Sequence, residues 1–305
     1  MINLPNDIHV VERGWLSANQ IFLKNDHTLD IVDSGFCTHA NLTITLVNQQ
    51  LAEKEGRKPG KLLNTHLHSD HCGGNQVLAD QFHFEIYIPS GEWDVVHHWD
   101  EAQLSYESLG QPCPQFKPEY RLVANTSIEL GDRRWQILAA PGHDPHSIIL
   151  FQEQTGILIS ADALWENGFG ALFPELENEE GFQETRATLD LIKDIQPALV
   201  IPGHGKPFTN VKEALDIAYS RLDYLEADSS RNDFHIAKVL LKFKILELQE
   251  VEESVAQAWM SQTPMLNIVS KNLGLTHEEL FIKTVNALIN AKAIYKNGSQ
   301  IINLN

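Results

Sequence analysis

Four side chains that commonly bind metal ions lie within six consecutive positions of this chain: His66, His68, Asp70 and His71. The apolar pair Leu62-Leu63 precedes them, so the sequence predicts a short buried strand that ends where the histidines begin. Because alternate side chains of an extended segment point the same way, His66 and His68 can face one ion. Asp70 and His71 lie on the following turn and can face a neighbouring point. This spacing predicts a metal centre rather than a polar loop with unrelated histidines.

Further motifs follow apolar segments in a fixed order along the chain. They are Asp33-Ser34-Gly35, Pro141-Gly142-His143, Ser160-Ala161-Asp162 and Pro202-Gly203-His204-Gly205. Together with the His66–His71 run, they make the first 210 residues resemble the metallo-β-lactamase-fold hydrolase superfamily. The motifs and their order are specific for fold and metal chemistry, whereas the substrate depends on the site rather than on the fold.

The resemblance implies that seven side chains bind two divalent metal ions. His66, His68 and His143 would bind the first ion, Asp70, His71 and His204 the second, and Asp162 would bridge the two. Metal ions about 3.5–4 Å apart can share one hydroxide that attacks a carbonyl, and they can stabilise the resulting oxyanion. Asp70 would also hold and transfer a proton. Zinc is the expected metal, and the mixed nitrogen and oxygen ligands also admit iron or manganese.

The expected fold is α/β, with an αβ/βα metallo-β-lactamase sandwich over residues 1–208 and a mostly helical domain over residues 209–305. In the second part, long amphipathic helices, a Thr276-x-x-Glu279 capping box and an Asn297-Gly298 hairpin turn resemble a degenerate winged helix. A similar extension occurs in the LACTB2-like branch of the superfamily. Covering the catalytic cleft and forming a homodimer are the two roles that we expect for it.

Composition favours a small-molecule substrate. The net charge is −18, and residues 212–305 carry 10 Lys and Arg against 12 Asp and Glu, so most of the acidity belongs to the first part. Such a surface repels nucleic acid. The sequence has no apolar run near the ~20 residues of a membrane span and no signal-like start, and its three cysteines suggest no disulfide framework. We therefore expect a cytoplasmic protein that does not bind membranes.

Several aromatic residues and one histidine are candidates for the substrate pocket. Trp93, Trp99, Tyr106 and Phe116 lie in the irregular segment 90–120, and Trp165 and Phe169 follow Asp162; ordinary packing is the alternative for each of them. His146 stands where the family usually has glycine, and we keep it outside the metal set. It could donate a proton in the cleft or be a solvated loop residue.

Two alternatives remain for Asp33, and three functions remain for the chain. Asp33 could support a ligand imidazole or cap the helix that follows it.

The favoured function is hydrolysis of a small thioester, ester or lactone, similar to glyoxalase II or related thioesterases. The alternative is a LACTB2-like endoribonuclease acting on single strands. A non-catalytic protein that retains a metal site is the third function, and the least favoured because all seven ligand positions are intact.

Overall fold

The computed structural model describes residues 4–101, 103–174 and 180–304. Its first part contains two sheets. The first sheet runs in chain order: β1 (Ile8–Val11), β2 (Gln20–Lys24), β3 (Thr28–Val32), β4 (Lys58–Leu63), β5 (Glu85–Pro89) and β6 (Tyr120–Leu122). The second comprises β7 (Thr126–Leu130), β8 (Arg133–Ala139), β9 (Ile148–Gln152), β10 (Ile157–Ala161) and β11 (Leu199–Pro202), in the spatial order β11-β10-β9-β8-β7.

The two sheets pack against each other through their apolar inner faces. Leu23 and Leu63 of the first sheet belong to the same buried cluster as Trp135, Leu150 and Ile159 of the second. Trp135 is completely buried. Burial of these faces removes a large apolar area from water, which is the main force that holds two sheets together.

Helices cover the outer faces of the sandwich, as the αβ/βα prediction requires. The connections between strands β3 and β6 of the first sheet contain α1 (Ala40–Ala52), α2 (Ser69–Cys72), α3 (Asn75–Phe82), α4 (Trp93–His98) and α5 (Ser105–Leu109). The second is covered by α6 (Gly181–Ile195) and α7 (Val211–Glu226). Separate apolar clusters join each group of helices to its own sheet, so the predicted fold is confirmed.

The C-terminal region is mostly helical, also as predicted. It contains α8 (Ser230–Leu248), α9 (Glu253–Gln262), α10 (Pro264–Asn272) and α11 (His277–Asn290), with a small sheet of β12 (Glu250–Glu252), β14 (Gln300–Asn303) and β13 (Ile294–Asn297) in that spatial order. The capping box is present, since Glu279 N donates to Thr276 Oγ1 at 3.2 Å and Thr276 N donates to Glu279 Oε2 at 2.8 Å. The division of the chain into two domains after residue 208 stays a prediction. Helix α7 follows that boundary, but it packs on α6 of the sandwich.

Pro59 and Gly60 lie inside β4, where the register between β3 and β4 shifts beside Leu29. This irregularity tolerates a proline, which has no N–H to donate. In the C-terminal hairpin, Asn297 pairs with Gln300, so the turn lies one residue later than predicted and Gly298 takes a positive φ of 61°.

None of the described helices is both long enough and apolar enough to cross a membrane.

Candidate metal centre

The seven predicted ligands all follow strands at one edge of the sandwich. His66 and His68 follow β4, and the short helix α2 carries Asp70 and His71. The remaining three come from the second sheet: His143 follows β8, Asp162 follows β10 and His204 follows β11. Because β10 and β11 are parallel, their carboxyl ends meet at the same edge.

The fold brings these side chains into three overlapping groups, in each of which the donor atoms lie within 4.8 Å of one another. The groups are His66, His68 and His143; His66, His71 and Asp162; and Asp70, His71 and His204. Every predicted ligand belongs to at least one group, and every one is buried. The sharing of His66 and His71 between groups means that the three sets form one continuous cluster.

Hydrogen bonds outside the cluster orient the imidazole rings. His143 Nδ1 lies 2.5 Å from Ala171 O, and His204 Nδ1 lies 3.1 Å from Gly14 O. Since a carbonyl oxygen can only accept, each Nδ1 carries the proton and each Nε2 presents a lone pair to the cluster. This arrangement, in which the second ring nitrogen donates to the protein, is usual for histidines that bind metals.

Two buried nitrogen atoms of the cluster lack hydrogen-bond partners among the described residues. His66 Nε2 and His71 Nε2 are buried and accept or donate no hydrogen bond among the described residues. His68 Nδ1 and His143 Nε2 lie only 2.8 Å apart. Leaving buried nitrogen atoms unpaired is costly, and a cation at the centre would satisfy them. Five imidazoles with two carboxylates therefore fit divalent cations of the zinc or iron type.

Asp162 lies between the two ends of the cluster. Its Oδ1 is 3.5 Å from His71 Nε2, and its Oδ2 is 3.5 Å from His143 Nε2. Trp165 Nε1 donates a hydrogen bond of 3.2 Å to Oδ1 and so fixes the carboxylate. Asp70 Oδ2 lies 3.1 Å from His204 Nε2. Both carboxylates approach His71 and His204, since Asp70 Oδ2 also lies 3.8 Å from His71 Nε2 and Asp162 Oδ2 lies 3.9 Å from His204 Nε2.

Burial and neighbouring charge set the protonation of the histidines. Burial holds the pKa of His66 well below its usual value, and burial together with His143 lowers the pKa of His68 to about 4. Burial alone would also lower the pKa of His71, but the carboxylates of Asp33 and Asp162 outweigh it and raise that pKa well above the usual value. His66 and His68 are consequently neutral near pH 7, the form in which imidazole binds metals.

Asp33 supports the cluster rather than capping a helix. Its Oδ2 lies 2.8 Å from His71 Nδ1, and its Oδ1 accepts the backbone N–H of Thr65 at 2.9 Å. Helix α1 begins seven residues later at Ala40, and its N-cap is His39. Asp33 also has a φ of 59°, a strained conformation for a residue with a Cβ. Of the two alternatives, the structure shows Asp33 supporting an imidazole of the cluster.

The cluster opens into a cavity of about 290 Å³ with mainly apolar walls. Helix α8 contributes Val239, Phe243 and Leu246 to the wall, so the C-terminal region covers the cleft. Covering was one of the two roles expected for this region, and homodimerisation stays a prediction. Phe173 also lines the cavity, and its ring lies 5.4 Å from that of His68.

The prediction that the aromatic residues of segment 90–120 line the substrate pocket is wrong for this cavity. Trp93, Trp99, Tyr106 and Phe116 pack in or against the apolar cluster of the first sheet, and none is among the described residues of the cavity wall. The segment contributes Leu109 and Gln111 instead. The four aromatic rings instead cover the outer side of the first sheet, which is the packing alternative.

The other candidates have mixed outcomes. Trp165 lines the cavity, whereas Phe169 is buried in the core of the second sheet. His146 is exposed and belongs to none of the three groups; it lines a second cavity of about 390 Å³ together with Glu92. Sequence reasoning missed Trp15, whose ring stacks on His204 at 5.4 Å. Trp15 lies in a loop far along the chain from His204, so no local pattern indicates the contact.

Comparisons with known proteins agree with this geometry. A relative from Bacillus subtilis, described as the probable metallo-hydrolase YqgX, is 28% identical over 204 residues, which are 65% of this chain and 89% of the relative. The acyl-coenzyme A thioesterase MBLAC2 of Gallus gallus is 27% identical over 220 residues, covering 65% of this chain and 77% of the relative.

Solved structures with the same fold include three informative neighbours. The BLEG-1 B3 metallo-beta-lactamase has a TM-score of 0.56 and 25% identity, covering 68% of this chain and 96% of its own. The family protein TTHA1429 from Thermus thermophilus has a TM-score of 0.56 and 16% identity, and it covers 99% of this chain and 100% of its own. TTHA1623, solved in a di-iron-bound form, has a TM-score of 0.54 and 21% identity. The match covers 69% of this chain and 98% of TTHA1623.

The family assignment rests on the match over the sandwich. The profile of the metallo-beta-lactamase superfamily matches residues 13–204, which include all seven residues of the cluster and well over half of the 305-residue chain. The chain is a metallo-hydrolase-type member of the metallo-beta-lactamase superfamily.

Proposed function

We propose that the seven clustered residues bind two divalent metal ions and that the protein hydrolyses a small thioester, ester or lactone. The proposal assigns His66, His68 and His143 to the first ion, Asp70, His71 and His204 to the second, and Asp162 to both. The observation that carries it is the continuity of the cluster: buried donor atoms from both sheets converge on one place, and that place opens directly into an apolar cavity.

The ions would supply an activated water and a positive charge opposite the developing oxyanion. The chain's own residues would hold the substrate and move the proton. Asp70, with its Oδ2 3.1 Å from His204 Nε2, lies at the cavity wall, and we assign it the role of taking a proton from the attacking water and passing it to the leaving group. Trp165 keeps Asp162 in place through its indole N–H. The apolar wall excludes bulk water around the scissile bond.

The ligand set supports zinc first, with iron or manganese as alternatives. Imidazole suits zinc and iron, and carboxylates admit harder ions such as manganese. The di-iron form of TTHA1623, a neighbour at 21% identity, keeps iron among the choices. Relative affinities alone do not decide which metal a protein carries in the cell.

A thioester is the favoured substrate. One relative at 27% identity is described as an acyl-coenzyme A thioesterase, and a cavity of about 290 Å³ with apolar walls suits an acyl chain. The net charge of −18 disfavours long polyanions such as RNA.

We also propose that the protein is cytoplasmic and that the chain divides into two domains after residue 208.

The experiment is a hydrolysis panel with purified, zinc-loaded protein and a chelator-treated control. The panel contains an S-acyl glutathione, an acyl-coenzyme A, an N-acyl homoserine lactone, the β-lactam nitrocefin and a single-stranded RNA. We expect a kcat/KM of ~10⁴ M⁻¹s⁻¹ or more for at least one of the first three, lost on chelation. Rates equal to the control for all three would contradict the proposal, and metal-dependent cleavage of RNA would replace it with the endoribonuclease alternative.

A further inference from the structure

Arg221 is a partly buried cation in the wall of the cavity that contains the metal cluster. It projects from α7, and its Nη1 donates to Phe169 O at 3.0 Å while its guanidinium lies 4.8 Å from the centre of the Phe169 ring. Burial lowers the pKa of Arg221 to about 10, so the side chain stays charged near pH 7. Partial burial of a charge without a counter-charge costs free energy, so such a charge in a binding cavity favours an anionic ligand.

His235 extends this positive wall with a further donor. Arg221 Nη2 donates to His235 Nε2 at 2.7 Å, and because that nitrogen accepts, the proton of the neutral ring is on Nδ1. Burial, with the neighbouring Arg221, lowers the pKa of His235 to about 3, which keeps the ring neutral. The Nδ1–H of His235 has no acceptor among the described residues, although the side chain lines the cavity.

Among the described residues of the cavity wall, no carboxylate outside the metal cluster is present to neutralise Arg221. Among the described lining residues, the only carboxylates are Asp70 and Asp162, and both belong to the metal cluster. Arg221 takes part in no ion pair within the described ranges, in a chain whose net charge is −18. The other cation of the wall, Lys242, already donates to Ala293 O, Leu304 O and Asn303 Oδ1.

Arg221 and the metal cluster contact the same short segment. Arg221 donates to the carbonyl of Phe169, and His143 donates to the carbonyl of Ala171, two residues further. Two extended residues span at most about 7 Å, so, with the two hydrogen bonds added, the guanidinium and the ring of His143 lie at most on the order of 13 Å apart. A single small molecule can therefore contact both.

We propose that Arg221 and His235 form a binding subsite for an anionic oxygen group, a carboxylate or a phosphate, of the molecule that is hydrolysed at the metal cluster. This inference rests on the proposed function and specifies its substrate: an acyl compound with a negative charge some atoms from the scissile bond. The charge is carried either by the acyl chain or by the leaving group. The apolar residues Val239 and Phe243 contact the carbon chain between the two ends.

The first test measures binding and needs no turnover. Trp15 and Trp165 line the cavity, so their fluorescence reports ligands. Zinc-loaded protein is titrated with the dicarboxylates from succinate to suberate and with monocarboxylates of the same chain length. At the best length, we expect the dicarboxylate to bind at least about tenfold more tightly, because its second carboxylate gains a charge-assisted hydrogen bond from Arg221.

Variants identify the source of that preference. Arg221→Gln should reduce the ratio of the two dissociation constants to about one, and His235→Phe should reduce it in part. Lys238→Gln is the matched control: it removes one positive charge from the same helix as His235, but Lys238 lies over the Phe234 ring and not in the cavity wall. A ratio near one in the wild type at every length, or a ratio preserved in Arg221→Gln, would overturn the subsite.

The second test locates the charge on the substrate. The substrates are hexanoyl-N-acetylcysteamine, which is neutral, adipoyl-N-acetylcysteamine, with a carboxylate on the acyl chain, and S-hexanoyl-3-mercaptopropionate, with a carboxylate on the leaving group. A lower KM for the second or third, lost in Arg221→Gln, assigns the subsite to the acyl or the leaving group respectively. If neither anionic substrate has an advantage over a neutral one that is hydrolysed, the subsite is refuted. If none of the three thioesters is hydrolysed, the thioester is refuted as the favoured substrate, and the binding ratio still decides the subsite.

Discussion

Asp33 Oδ2 lies 2.8 Å from His71 Nδ1, and this pair links a strained residue after β3 to the ring shared by two groups of the metal cluster. The carboxylate accepts the Nδ1 proton, so Nε2 is the nitrogen of His71 that faces the cluster. Thr65 anchors the same carboxylate through its backbone N–H and its hydroxyl, each at 2.9 Å. The orientation of His71 is therefore fixed before any ion binds.

Asp33→Ala should weaken zinc binding by about 10- to 100-fold, the usual effect of removing a carboxylate that orients a ligand histidine. The affinity can be measured by competition with a coloured zinc chelator. Asp26→Ala is the control, since this exposed carboxylate lies before the same strand and does not contact the cluster. A folded Asp33→Ala variant with the affinity of the wild type would contradict the role of the pair.

Gly203 and Gly205 flank His204 and offer a matched pair of substitutions. A Cβ at residue 203 would overlap Oδ1 of Asp162 and lie 3.1 Å from Cε1 of His71, whereas a Cβ at residue 205 would have nothing within 4 Å. We expect Gly203→Ala to lower zinc affinity at least about tenfold by displacing Asp162. Gly205→Ala should mainly cost about 1–2 kcal/mol of stability, because its φ is 86°.

Zinc competition and urea unfolding of both variants separate the two effects. Equal zinc affinities for Gly203→Ala and Gly205→Ala would show that the space beside Asp162 does not matter for the site.

Asp7 and Arg133 connect the start of the first sheet to β8 of the second through two hydrogen bonds of 2.5 and 2.8 Å. The bond from Arg133 holds the pKa of Asp7 below its usual 3.8. A lowered folded pKa stabilises the protein above the unfolded pKa, and this contribution is lost as the pH falls through the folded pKa. Since both side chains are partly exposed, we expect Asp7→Asn to cost only about 0.5–1 kcal/mol at pH 7.

Thermal unfolding of Asp7→Asn and the wild type between pH 7 and pH 3 tests this linkage. The difference in Tm should shrink as the pH falls below about 4. A difference that stays constant over the whole range would show that the ion pair does not contribute through its charge.

His66→Ala and Asp162→Asn should both lose hydrolytic activity by about 100-fold or more while the fold persists, because each residue contributes to a shared part of the cluster. Activity on the best substrate of the panel and circular dichroism measure the two properties. His146→Ala is a useful comparison, since it lies three residues from His143 but outside every group. Full activity in either His66→Ala or Asp162→Asn would refute the site assignment.

His66, His68, Asp70 and His71 could be predicted from the residues alone because they lie in one short run. The capping box at Thr276 was equally local and is present. In such cases the spacing along the chain fixes the geometry in space. The sandwich and the addition of His143, Asp162 and His204 to the site followed instead from the resemblance of the ordered motifs to a known family, because these residues meet only after folding.

The cavity wall could not be predicted, because its residues meet only after folding. Trp15, Arg221 and His235 come from a loop and two helices that are far apart in the sequence. Conversely, the aromatic character of Tyr106 and Phe116 suggested a pocket, but a buried aromatic ring contributes as much to a core, and these rings pack beneath the helices of the first sheet.

The central claim is that one continuous cluster binds two metal ions, and metal content measures it most directly. The protein is loaded with excess zinc, desalted and analysed by plasma mass spectrometry against its own concentration. We predict two zinc ions per chain. A content of one ion or less per folded chain, with iron and manganese giving no higher value, would contradict the claim.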